Sequence, residues 1–168
     1  MAVPTKESRF MAVVNDNRQM IYKVCYMYAT DNDHFKDLYQ EVLASLWQGL
    51  DSFRGDSKMS TWIYRAAINT CVTFYRKHKS HGQETVALDA VADIPGDDNA
   101  RADMLKEMYR LISGLNKMDK ALILMWLDER SYDEIAEVTG LSRNNVATRL
   151  RRIKQRLVDE NRKEENLA

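Results

Sequence analysis

SYDEIAEVTGLSRNNVATRLRRIKQR, residues 131–156, carries two helix-start signals on either side of a glycine. Ser131 followed by Glu134 matches the capping box, in which two side chains satisfy backbone N–H groups at a helix start. Ile135, Ala136 and Val138 give that helix a small apolar face. Gly140 stands where a helix C-terminus takes a left-handed residue. Leu141 anchors the turn, and Ser142 is the expected N-cap of a second helix. Short helix, glycine turn and second helix make the helix-turn-helix plan.

The second helix carries six basic residues and no acid: Arg143, Arg149, Arg151, Arg152, Lys154 and Arg156. Val146, Leu150, Ile153 and Leu157 recur at helical spacing and share one stripe. Asn144, Ala147, Thr148 and Arg151 fall roughly opposite it, and Arg149, Arg152 and Arg156 flank it on one side. Asn and Arg can bond base edges in two places at once, while flanking cations neutralise phosphates. A basic face alone is an ordinary solvated surface. With a capped helix and a glycine turn in front of it, the reading becomes DNA binding.

The rest of the chain sets bounds. At 168 residues it holds one domain or two small ones. Hydrophobic residues at 45% and charged residues at 30% are ordinary for a soluble globular protein. No apolar run approaches the ~20 residues of a membrane span, so no membrane insertion is expected. The start, MAVPTKESRF, lacks the apolar core of a secretory signal. Cys25 and Cys71 lie far apart in helix-like sequence, which is no disulfide framework and points to a reducing cytoplasm. His78 and His81 lack further ligands nearby, so neither metal nor cofactor is expected.

Net charge is zero but unevenly spread. Residues 1–80 balance at +3, residues 81–104 at −5 and residues 105–168 at +2. The middle stretch, HGQETVALDAVADIPGDDNARADM, has no sustained helical period and reads as an acidic linker. The expectation is an all-α fold of two small helical domains, 1–80 and 105–168, the second a helix-turn-helix.

In the first domain, Phe10 to Ala29 reads as one long helix with Met11, Val14, Ile21, Val24, Cys25 and Tyr28 on its apolar side. After a turn at Asp31-Asn32-Asp33, HFKDLYQEVLASLWQGL is strongly amphipathic, with Lys36, Asp37, Gln40, Glu41 and Ser45 on its outer face. A turn-rich loop, DSFRGDSKMS, leads to a helix capped by Ser60. There Trp62, Tyr64 and Tyr75 lie among Arg65, Arg76, Lys77 and Lys79. Aromatics interleaved with cations suit single-stranded nucleic acid, whose bases stack while the cations follow the backbone. Aromatics at helical spacing also serve as core.

Two blocks together resemble a known family. DLYQEVLASLWQGLDSFRGDSKMSTWIYRAAINTCVTFYRK looks like the second region, and LNKMDKALILMWLDERSYDEIAEVTGLSRNNVATRLRRIKQRL like the fourth, of bacterial RNA polymerase sigma factors of the extracytoplasmic-function group of the sigma-70 family. The resemblance covers nearly the whole chain. It implies a non-enzymatic subunit that directs polymerase core to promoters and assists their melting.

It also implies roles. Asp37, Leu38, Gln40 and Glu41 would dock on the clamp helices of the polymerase large subunit. Loop residues Phe53 to Met59, Lys58 among them, with Trp62, Arg65 and Asn69, would open and read the −10 element as single strand, and Arg76, Lys77 and Lys79 would hold nearby phosphates. Arg143, Asn144, Ala147, Thr148 and Arg151 would face the −35 element in the major groove, supported by Arg149 and Arg152. The implied partners are polymerase core, through its clamp helices and flap, promoter DNA and an anti-sigma factor. Thr73 stands where the family often has an acid, and Asn116 where it often has proline, which questions the local strand contact and helix start.

Two rival readings remain. A stand-alone helix-turn-helix regulator would need a dimer surface or effector pocket, and residues 1–80 show neither clearly. A nuclease would need carboxylates clustered around a metal, and the nearest group, Asp31, Asp33 and Asp37, is equally a turn and a helix start.

Overall fold

The computed structural model describes residues 2–78 and 99–168, the side chains of 75–78, 99 and 101 excepted. All regular structure among them is helical, and the chain divides into two compact units, Met1–Asp97 and Asp98–Ala168. No helix there is long and apolar enough to cross a membrane.

The first unit holds α1 (Lys6–Asp16), α2 (Arg18–Tyr28), α3 (Asn32–Gly49) and α4 (Met59–His78). The single helix expected over residues 10–29 is broken at Asn17. Its side-chain amide donates to the Val13 carbonyl at 2.8 Å, taking an acceptor that helix continuation would use. Met11, expected on the apolar side, is 54% exposed on the shorter α1. The break lets α2 turn inward. From Met20 to Ala29 every residue but Lys23 is buried, and α2 packs on both α3 and α4. Asp31 ends the turn before α3 by accepting the His34 N–H at 2.8 Å, so this acid is a helix cap.

Two sequence expectations are corrected by burial in this unit. Leu38, placed on the docking surface, is fully buried in the core, because it shares a stripe with Phe35, Val42 and Leu46. Tyr64 is likewise buried and cannot stack on a base. Cys25 and Cys71 meet here as buried free thiols. Their mutual hydrogen bond, with burial, holds the Cys25 thiol well above its ordinary pKa, so thiolate is scarce at Cys25.

The second unit holds α5 (Asn99–Ile112), α6 (Lys117–Leu127), α7 (Tyr132–Thr139) and α8 (Arg143–Leu167). Residues 99–104, read as linker, are therefore the first part of α5; residues 81–98 of that linker, like Lys79 and His81, lie outside the described residues. Asn116 proves a sound helix start in proline's place: its side chain accepts the Asp119 N–H at 2.9 Å. Ala121 to Met125 then run buried through α6, which packs on α7 and α8.

Candidate nucleic-acid interface

The helix-turn-helix is built from local signals. Ser131 accepts the Glu134 N–H at 3.1 Å and starts α7. Gly140, at φ 76°, closes it in the left-handed region, where its N–H donates to the Ala136 carbonyl at 2.9 Å. Ser142 accepts the Asn145 N–H at 3.2 Å and starts α8. Removing this cap in Ser142→Ala is expected to cost about 1 kcal/mol. In a unit of this size that lowers the melting temperature by roughly 4–8 °C, read by circular dichroism of the full chain.

Val146, Leu150 and Ile153 seat α8 on the core, and Leu157 is half-buried. The opposite face then points outward: Arg143, Asn144, Arg151 and Arg152 are exposed, while Ala147, Thr148 and Arg149 are half-buried. The −35 candidates thus form one face, as the helical period requires. Their charges are not equivalent. Arg143 pairs with Asp133 at 3.3 Å, Arg149 with Asp119 at 2.9 Å and Arg156 with Glu160 at 2.9 Å, and Lys154 lies over the Trp126 ring at 4.5 Å. Among the described residues, Arg151 and Arg152 alone of the six basic side chains have no such partner.

In the first unit, α3 exposes Asp37, Gln40 and Glu41. Glu41 shares a shallow cavity between α3 and α4 with Ser45, Gln48, Asn69 and Thr73. The docking candidate Glu41 and the strand-reading candidate Asn69 therefore line one cavity. Thr73, where the family often has an acid, is an exposed member of the same cavity.

α4 begins at Met59, two residues before the expected start at Thr61, and the Trp62 N–H donates to the Lys58 carbonyl at 3.1 Å. Ser60 is thus inside the first turn and not the cap. Trp62 is half-buried with its ring 5.3 Å from that of Phe53, while Lys58 is exposed and Arg65 half-buried. Arg76 and Lys77 lie on the last turns of α4, and their side chains are outside the described residues.

The sequence contained no sign of what supports Trp62. It rests on Gly49, where an added Cβ would lie 3.0 Å from the indole Cζ2. Gly49→Ala is expected to displace the indole and cost about 1 kcal/mol through overpacking. A lowered melting temperature with a changed near-ultraviolet dichroism is the readout.

Comparison with known proteins now decides the family. The sigma-70 region 2 family matches residues 13–81, and the sigma-70 region 4 family residues 105–157. The sigma factor YlaC of Bacillus subtilis (strain 168) is 30% identical over 131 residues, which span 73% of this chain and 74% of that one. The chain belongs to the extracytoplasmic-function group of RNA polymerase sigma-70 factors. Its likeness to the extracytoplasmic-function sigma factor SigW of the same organism is 28% identity over 164 residues, covering 90% of this chain and 88% of SigW. Among solved structures, RpoE of Bartonella quintana, crystallised with the anti-sigma factor NepR, shares the fold. The TM-score is 0.72 at 19% identity, over 90% of this chain and 95% of that one. This sigma factor is thus a transcription-initiation subunit that directs polymerase core to promoters and assists their opening.

Proposed function

We propose that this sigma factor grips its promoter at two points while held on polymerase core, each unit supplying one. Asp37, Gln40 and Glu41 dock α3 on the clamp helices of the large subunit, and the second unit meets the flap. Leu38 serves from within by fixing the register of α3. Phe53, Lys58, Trp62, Arg65 and Asn69 capture the −10 strand, with Arg76 and Lys77 on its phosphates. Arg143, Asn144, Ala147, Thr148 and Arg151 read the −35 element in the major groove, with Arg152 on the backbone.

The observation that carries this reading is a pair of arginines without a partner among the described residues, Arg151 and Arg152, on the outer face of a capped helix-turn-helix. A helix so placed presents donors to base edges without first breaking an internal bond.

The mechanism is an exchange of free energy, with bond-making left to the polymerase. Pulling a base out of the stack costs a few kcal/mol, which a shaped pocket offsets. Neither unit has to bind tightly alone, because both are tethered to one polymerase and act at high effective concentration. No cofactor enters this mechanism, and among the described residues no group of His, Cys, Asp or Glu is arranged to hold a metal. An anti-sigma partner is part of the proposal, supported by the NepR complex of the similar RpoE. The site of action is then the cytoplasm, where polymerase works.

Run-off transcription with purified core on genomic DNA tests the reading, together with co-elution of the chain with core. Discrete products that need both, strong and salt-sensitive promoter binding by the complex, and weak DNA binding by the free chain are expected. Tight sequence-specific footprints from the free chain, without co-elution, would instead favour a stand-alone regulator.

A further inference from the structure

We propose that Asp119 is an internal counter-ion of the −35 reader, a positioning residue that takes Arg149 out of the set of phosphate contacts and leaves that work to Arg151 and Arg152. This rests on the promoter-reading role given to α8 above.

The ion pairs along α8 differ in how easily DNA could exchange them. The Arg143 and Asp133 side chains are 66% and 73% exposed, so water screens the pair and a phosphate can replace Asp133. Arg156 and Glu160 form an exposed pair one turn apart on the same helix. Arg149 and Asp119 are different: they are 34% and 17% exposed, and their bond ties α8 to α6.

Asp119 is also held from the other side. Its second carboxylate oxygen accepts the Asn116 side-chain amide at 3.1 Å, and its own N–H donates to the Asn116 side-chain oxygen at 2.9 Å. The carboxylate is therefore fixed by the cap of α6 and cannot follow Arg149 outward. A phosphate recruiting Arg149 would have to break a charge-assisted hydrogen bond. It would also leave a half-buried carboxylate facing that phosphate. Asp119 lines the same cavity as Asn145, Thr148, Arg149, Arg152 and Arg156, so its charge lies within the basic face. A helix that counts six cations in the sequence then offers DNA fewer.

The test uses holoenzyme made from polymerase core and the full chain, on a promoter duplex recovered by run-off transcription. Affinity is measured across a range of salt, where each phosphate contact adds about 0.9 to the slope of log affinity against log salt. Asp119→Asn removes the charge and keeps the size. It is expected to steepen the slope by about 0.9 and to tighten binding roughly three- to eightfold near 0.1 M salt. The double variant Asp119→Asn, Arg149→Gln removes both charges and is expected to return the slope to its starting value.

An unmoved slope in Asp119→Asn overturns the proposal, since a purely structural tie would lower the melting temperature and leave the slope alone. So does a double variant whose slope is shallower by about 0.9, which would make Arg149 a phosphate contact after all. If the single variant fails to fold, the double variant, with its neutral amide pair, decides alone. A wild-type holoenzyme that gives no run-off product overturns the sigma-factor role itself, and this inference with it. Product with the slopes contrary to expectation overturns this inference only.

Discussion

Arg151→Ala is expected to weaken holoenzyme binding to its promoter by about 1–3 kcal/mol, roughly five- to 150-fold, and to relax the choice of base at one −35 position. Arg151 is exposed, lies opposite the buried stripe of Val146, Leu150 and Ile153, and has no partner among the described residues. Its guanidinium can therefore bond a guanine edge in two places with no ion pair to give up, and loss of such a bidentate pair costs 1–3 kcal/mol of discrimination. A phosphate contact behaves differently. Arg152→Ala, on the flank, is expected to weaken binding to all sequences alike and to lower the salt slope by about 1. Affinities of both variants for a panel of duplexes with single −35 changes separate the two roles. If Arg151→Ala loses affinity uniformly and keeps its preferences, Arg151 holds backbone and not base.

The basic helix could be found in the sequence because its determinants are local. Ser131, Gly140 and Ser142 each act on a backbone group within four residues, and the stripe from Val146 repeats along one helix. The working charge of that helix was not legible, since Arg149 meets an acid 30 residues away in sequence and only folding brings Asp119 there. In the first unit the helical period of α3 already puts Leu38 on the apolar stripe with Phe35, Val42 and Leu46, and only the contiguous docking segment implied by the resemblance placed it on the surface. The break at Asn17 was hidden because an asparagine inside an apolar period reads as a tolerated polar residue until its side chain takes the Val13 carbonyl. Tyr64 and Trp62 were alike as sequence. Tyr64 is fully buried in the core, whereas Trp62 is half-buried.

Trp62→Ala is expected to reduce the open-complex equilibrium by about 1–3 kcal/mol, the worth of one base stacked on an aromatic ring, while closed-complex affinity changes little. The indole is braced by Phe53 at 5.3 Å and by Gly49 beneath it, which fixes its orientation before any strand arrives. A pre-set ring costs a captured base less ordering than a mobile one. Strand capture happens only once the duplex opens, so the loss belongs to the open state alone. The half-buried ring also contributes packing, and Trp62→Ala will lower the melting temperature of the free chain. Trp62→Phe separates the two effects: it keeps an aromatic face and is expected to recover most of the open complex. Permanganate reactivity of the −10 thymines reports opening, and a mobility shift in the cold reports the closed complex. Equal loss in both assays, with no rescue by Phe, would return Trp62 to the core.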